Sequence, residues 1–432
     1  MSQIERVWSP AGSADPSGRD ALLPVATDIG QLLDPDQLVP EYQPVYDLST
    51  REQIGAEALA RWPALRIMPE EAFRWATQAG RLAELDEACR NAAIAGAVDR
   101  YLPPGFELFV NLEPSVLGPD TATRLLAHTA GRVGLMIEIT ERSLTDRPAE
   151  LLRALAQLRE AGCGIALDDV GAMPGSLALL PFIAPDVIKL DISLVQRWPD
   201  VERAAIYTTM AAHAERSGAT ILAEGIESER HMRLALALGA TLGQGWYLGR
   251  AGPLQAVPEP SRPLGLHRHR DVTPIRPFDL VDPGAVRIGS KDLLLGMSLH
   301  LEHQGLALEL PPVVLTALEN FRHFPRSTAR RYERLAERCP LVAVLGLPSI
   351  GAEATGVRMV ALEADDPLRD DWVVTVVGGH YAGALIARDL GDHGPDLDRR
   401  FAFVLTHHHG TVLAAARSLL GRVTASGTVP AP

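Results

Sequence analysis

The tightest constraint on this chain is an alternation. Between about residues 37 and 254, short apolar runs of strand length take turns with longer stretches whose apolar residues recur every three or four positions. The short runs are "FELFVNL", "GLMIEIT", "CGIALDDVG", "DVIKLDIS", "ATILAEGI" and "TLGQGWYLG". The longer stretches include "PAELLRALAQLREAG", where Leu151, Leu152, Leu155 and Leu158 share a face between Pro148 near the start and Gly162 at the end. "VERAAIYTTMAAHAERSG" and "SERHMRLALALG" follow the same period. Strand and helix in turn over roughly 220 residues predict an α/β fold, and that span suits a TIM-like (β/α)8 barrel better than an open sheet. No G-x-G-x-x-G follows a first strand, which weighs against the open doubly wound form.

The chemistry sits at the ends of those runs. Glu57 lies inside the apolar "IGAEALARW", Asn111 ends "LFVN", Glu138 stands in "LMIEIT", and Asp168 and Asp169 end "GIALDD". Lys189 and Asp191 end "VIKLD", Glu224 ends "TILAE" and Gln244 ends "TLGQ". Each alone has a plain reading: a strand glutamate faces solvent or an ion-pair partner, "DD" is a turn or a helix cap, an asparagine caps. Five strand ends would each need a separate reason, whereas in a barrel strand C-termini converge on one face. Carboxylates gathered there repel and raise one another's pKa. Divalent cations remove the conflict, and a set of oxygen donors without cysteine or histidine favours Mg²⁺ or Mn²⁺ over zinc. Two such ions about 3.5 to 4 Å apart serve phosphodiester cleavage.

At 432 residues the chain is long enough for two or three domains. Its net charge of −13 argues against nonspecific nucleic-acid or anionic-membrane binding. The three separated cysteines, Cys89, Cys163 and Cys339, read as buried thiols in a reducing cytoplasm. The start lacks a secretory pattern and no apolar run reaches the roughly 18 residues of a membrane span. Residues 1–36, rich in Ser, Pro, Gly and Asp, read as a flexible tail with order beginning near Gln31 to Leu38. A Pro-rich stretch, 255–277, separates the barrel at 37–254 from a smaller mixed α/β unit at 278–426, with 427–432 as a second tail.

From Leu38 to Pro253 the residues resemble the EAL domain, the family of cyclic di-GMP phosphodiesterases. Its motifs stand in family order: "YQP" at 42–44, "EALARW" at 57–62, Asn111, "EITE" at 138–141, "DDVG" at 168–171, "IKLD" at 188–191, "AEGIE" at 223–227 and "QGW" at 244–246. The resemblance implies a modified barrel whose first strand runs antiparallel. It implies that Glu57, Asn111, Glu138 and Asp168 hold a first metal ion and that Asp168 and Asp169 face a second, with Glu224 as base or second-metal ligand. Lys189 would orient the attacking water, and Glu141 would hold the loop after the paired aspartates. Gln43, Leu59, Arg61, Asp191, Glu227 and Gln244 fall at substrate positions, Arg61 at a phosphate. The reaction implied is hydrolysis of cyclic di-GMP to linear pGpG with two Mg²⁺ or Mn²⁺; homodimerisation is implied by the resemblance alone. The loop departs from the family: "DDVGAMPGSL" replaces "DDFGTGYSSL", so Pro174 fixes φ and removes an N–H where the family has a free backbone. A receptor that binds the nucleotide without useful turnover is the alternative expectation.

In the C-terminal unit "SKDLLLGMSLHLEHQG", "PPVVLTALENFRHFPRSTARRYERLAERC" and "YAGALIARDL" read as helical, and "LVAVLGL", "VRMVALE" and "DWVVTVVGG" as strands. A last helix is expected to end near Val423. "MSLHLE" at 297–302 and the stretches 370–390 and 398–420 resemble the DICT domain, a sensory module, whose signal the resemblance does not name. His407, His408 and His409 cannot all point one way in an extended segment and read as a surface loop.

Overall fold

The structure is a computed structural model. It describes residues 29–424 except 101, 117–120, 122–123, 126–132, 141–144, 172–176, 198–199, 261–263, 266–275, 350–352 and 393. Eight strands close into a barrel in sequence order: β1 (Val39–Asp47), β2 (Gln53–Arg61), β3 (Glu107–Asn111), β4 (Gly134–Thr140), β5 (Gly164–Val170), β6 (Val187–Leu190), β7 (Thr220–Ala223) and β8 (Leu242–Gly243). β1 runs antiparallel to both its neighbours and every other pair is parallel. The strands are apolar on both faces because both are covered. Val45, Ile54, Phe109, Met136, Ala166, Val187 and Leu222 fill the interior, while Leu108, Ile137, Leu167 and Ile188 pack outward against the helices. Leu264 of the Pro-rich stretch packs against the interior set.

Residues 29–36, assigned from sequence to the tail, carry the short helix Ile29–Leu32. Leu32 is buried and its carbonyl accepts from Trp62 Nε1 at 3.0 Å, so this short helix packs against the end of β2.

The C-terminal unit is a seven-stranded mixed sheet in the order β12-β11-β10-β13-β14-β15-β9. Its strands are β9 (Arg287–Ser290), β10 (Val313–Asn320), β11 (Leu341–Leu347), β12 (Arg358–Ala361), β13 (Asp371–Val377), β14 (Ala382–Asp389) and β15 (Arg400–Thr406). The helices Lys291–Ala307 and Arg326–Ala336 cover one face, through Leu294, Leu301, Tyr332 and Leu335. The helix His409–Leu420 covers the other, through Val412, Ala415, Ala416 and Leu419. That second core is continuous with the outer core of the barrel.

Two segments read as helical are strands. "VVLTALEN" forms β10 and "AGALIARD" forms β14, both in mid-sheet. Burial on both faces erases the alternation that marks a half-exposed strand, and a short apolar run then carries no period to distinguish it. β9 gave no apolar signal at all, since Arg287 and Ile288 are exposed on a sheet edge. The three histidines do diverge: His407 Nδ1 lies 3.0 Å from the Ala382 carbonyl, His408 caps the last helix, and His409 opens it.

Candidate active site

Parallel strands bring their C-terminal ends together, and the acids follow. Lys189, on β6, is fully buried with its Nζ 2.7 Å from Glu138, 2.9 Å from Glu224, 3.0 Å from Asp168 and 3.4 Å from Glu57. Those four carboxylates come from the ends of β4, β7, β5 and the middle of β2. Gln244 Nε2 donates to Glu57 at 2.6 Å and lies 3.5 Å from Glu224, and Asn111 Nδ2 lies 3.4 Å from Glu57.

The paired aspartates need a local irregularity, because successive strand residues point to opposite faces. The β5–β6 register shifts between Leu167 and Val170, and Asp169 adopts a left-handed φ of 56°. Both carboxyls are thereby kept on the same side: oxygens of Asp168, Asp169 and Glu224 all lie within 4.8 Å of one another. Two glycines are equally local requirements. Gly225 (φ 63°) follows Glu224 and Gly245 (φ 148°) follows Gln244, where an added Cβ would lie 2.3 Å from the Ile226 nitrogen.

The electrostatics are unbalanced. Glu57 is held below the usual carboxylate range: burial pushes it up, but the Lys189 charge and the bonds from Gln244 and Asn111 outweigh it. Burial first, then the Glu57 charge, pushes Glu138 well above its ordinary value. Glu224 is likewise raised by burial and then by neighbouring acids, against the pull of Lys189. Asp169 is pushed up to about 7 by burial and the Asp168 charge. Lys189 is raised well above its ordinary value because four carboxylates outweigh its own desolvation. Apart from the ion pairs to Lys189, no donor reaches either Glu138 oxygen or Asp168 Oδ1 among the described residues. Orphaned, mutually repelling oxygens in a hard-donor set fit divalent cations of the Mg²⁺ or Mn²⁺ kind.

The other expected residues are more dispersed. Gln43 on β1 pairs in register with Glu57, and Leu59 lies two residues further along β2. Arg61 ends β2 and its Nε is 3.2 Å from Glu41. Asp191 follows β6 directly and caps the helix Ile192–Gln196 through Ser193 N at 2.9 Å. The Glu227 amide donates toward His231 Nδ1 at 3.3 Å. Glu141 and the loop residues 172–176 lie outside the described residues. Two residues went unnoticed as a pair: Trp246 and Tyr247 are exposed immediately after Gln244, with the Arg250 guanidinium 4.5 Å above the Trp246 ring. Their sequence signal was two adjacent aromatics directly after Gln244, the first of them the last residue of "QGW".

These features define a class, an α/β barrel with a cation-seeking cage of oxygen donors at the mouth of its parallel strands. The chain belongs to the EAL domain family, whose profile matches residues 26–251. A second profile, the sensory domain of diguanylate cyclases and two-component systems, matches residues 280–390. Among curated relatives, the cyclic di-GMP phosphodiesterase RocR of Pseudomonas aeruginosa is 32% identical over 251 residues, 54% of this chain and 62% of RocR. The probable cyclic di-GMP phosphodiesterase PdeG of Escherichia coli is 30% identical over 49% of this chain and 44% of its own length. The bifunctional diguanylate cyclase/cyclic di-GMP phosphodiesterase MucR of Pseudomonas aeruginosa is 30% identical over 53% of this chain and 35% of MucR. The chain thus covers less than two thirds of each of these relatives. A solved PaMucR phosphodiesterase in complex with c-di-GMP is 28% identical over 52% of this chain and 96% of that one, with a TM-score of 0.47. No helix among the described residues is long and apolar enough to cross a membrane.

Proposed function

We propose that this chain hydrolyses cyclic di-GMP to linear pGpG, and that its C-terminal unit regulates the reaction. One observation carries the reading: four carboxylates, from Glu57, Glu138, Asp168 and Glu224, converge on a single buried ammonium, and a fifth, from Asp169, stands beside Asp168 and Glu224. Two Mg²⁺ or Mn²⁺ held by Glu57, Asn111, Glu138, Asp168, Asp169 and Glu224 would acidify water and offset the charge that develops on the phosphate. The protein's own share is placement. Lys189 Nζ, which always carries its proton here, donates toward the attacking water. Glu224, 2.9 Å from Lys189 Nζ at the end of β7, takes the proton that water gives up. Gln244 and Asn111 keep Glu57 ionised and oriented. Arg61 meets one phosphate from the end of β2, with Gln43, Leu59, Asp191 and Glu227 completing the nucleotide site. In the balanced reaction water adds to one phosphorus, one P–O3′ bond breaks, and the proton ends on the departing ribose oxygen.

The same reading takes 37–254 as the catalytic unit, 255–277 as the link and 278–426 as the regulatory unit, with an unidentified signal. It places the protein in the cytoplasm, in keeping with free thiols at Cys89, Cys163 and Cys339. The test is a turnover assay on the full chain with Mg²⁺ or Mn²⁺ and chromatographic separation of products. Many pGpG per chain are expected, and Glu57→Ala is expected to abolish them. Tight nucleotide binding without turnover would replace this reading by a receptor, the outcome that the changed sequence after Asp169 motivates.

A further inference from the structure

The C-terminal unit touches the barrel at chosen places. The one-turn helix Leu180–Ile183 leaves its C-terminal carbonyls without partners of its own. Two guanidinium groups share them. Arg159 of the barrel donates to the carbonyls of Ile183 (2.5 Å) and Ala184 (2.8 Å). Arg417, from the last helix of the C-terminal unit, donates to those of Pro181 (3.0 Å) and Phe182 (2.9 Å). Four successive carbonyls are therefore held half by one domain and half by the other. Ala184 then reverses the chain at a left-handed φ of 48°, a conformation that costs a β-carbon residue about 1 kcal/mol and needs its surroundings to hold it. Asp186 follows, exchanging bonds with Ile165 of β5 through both its amide and its carboxylate, each at 2.8 Å. The next residue opens β6, and two further on stands Lys189.

The unit also grips a helix that lies downstream of the same strand. His380 Nε2 lies 2.6 Å from Thr209 Oγ1, and Arg216 donates to the Gly379 carbonyl at 2.9 Å; both barrel residues sit on the helix Val201–Ser217 that follows β6. Gly379 has to be glycine, since a Cβ there would stand 2.1 Å from Thr209 Cγ2. A third contact lies elsewhere: Arg358 donates to the carbonyls of Thr145 and Asp146, ahead of the helix Pro148–Glu160.

We propose that Arg417 is a positioning residue, through which the C-terminal unit fixes the segment entering β6 and so sets the place of Lys189 among the carboxylates. The proposal rests on the phosphodiesterase reading for its catalytic consequence, and on the shared carbonyls for the coupling itself. An ammonium that satisfies four carboxylates at once tolerates little displacement, and a shift of about 1 Å at such a group costs about 100-fold in rate. A signal that loosens the last helix would then act on turnover without touching the substrate.

The test compares three full-length variants. Arg417→Gln is expected to lower kcat by about 10- to 100-fold with KM within about twofold. It should also speed amide hydrogen exchange in 180–190 while leaving β2 and β3 unchanged. Gly379→Ala, which wedges against Thr209 on the helix downstream of the same strand, is expected to give the same signature and serves if Arg417→Gln folds poorly. Arg358→Gln, which removes a contact of the same interface away from β6, should leave kcat and exchange in 180–190 as in the wild type. If Arg417→Gln behaves like Arg358→Gln, or if all three speed exchange throughout the barrel, the proposal is overturned. A wild-type protein that turns nothing over would sink the functional reading, while the exchange comparison would still decide the coupling.

Discussion

Buried acids occur in both halves of this molecule, and they are treated in opposite ways. In the C-terminal unit Asp371 is fully buried at the start of β13 and receives a fork from Arg276, at 2.9 and 3.0 Å, plus Arg388 at 3.3 Å. Glu302 there is met by Arg331 at 2.8 Å, Ser298 at 3.1 Å and Tyr332 at 3.4 Å. At the mouth of the barrel four acids share one lysine, with Asp169 beside two of them. Where positive partners match the acids, charge holds structure together. Where they fall short, the deficit marks a place that something cationic is meant to fill.

The largest effect is expected from removing the lysine. Lys189→Met should lower turnover by about 10³-fold and cost the cation-free protein about 3 to 5 kcal/mol, read as a lower urea midpoint. Mn²⁺ should restore much of that stability; if it restores none, the cage is not built for cations. Asp371→Ala tests the other side of the contrast. It leaves two guanidinium groups without their acid, but these are 20% and 30% exposed, so the cost is set at about 2 kcal/mol. Here Mn²⁺ should change nothing, and a rescue by the cation would erase the distinction.

The smallest effect concerns an acid of a third kind. Glu107 starts β3, at the end of the barrel away from the mouth, and burial followed by the Asp186 charge pushes its pKa from 4.5 up to about 7. Between those values the folded chain keeps a proton that the unfolded chain releases, so stability falls as pH rises from 4.5 to 7. The gap corresponds to at most about 3 kcal/mol. Glu107→Gln should remove that loss, leaving the variant more stable than the wild type at pH 8 and no better at pH 4.5. Thermal unfolding at the two pH values decides it, with no response to divalent cations expected.

The mouth was legible in the sequence because each acid follows an apolar run, whereas the need for Gly225 and Gly245 directly after Glu224 and Gln244 shows only in the backbone. Glu107 was not distinguished, although it lies in the same run as Asn111, since the text of a strand does not weigh one end against the other. That Lys189 serves four acids at once depends on barrel closure and has no local sign. The barrel's order was legible through its regular alternation of periods. β10 and β14 were misread because both their faces are buried, and the contacts of Arg417 with Pro181 and Phe182 link positions more than 230 residues apart.

The seam of the barrel gives the amide at its edge a mechanical part. β1 pairs with β2 along its whole length, but with β8 only at Tyr46–Gly243 and Asp47–Leu242, and β8 meets β7 only at Leu222–Leu242 and Ala223–Gly243. Gln244 stands just past this shortest stretch of ladder and reaches over β1 to Glu57 on β2. The side chain that holds Glu57 is also the buckle of the hoop, since its hydrogen bond to that carboxylate spans the strand at the weakly paired seam.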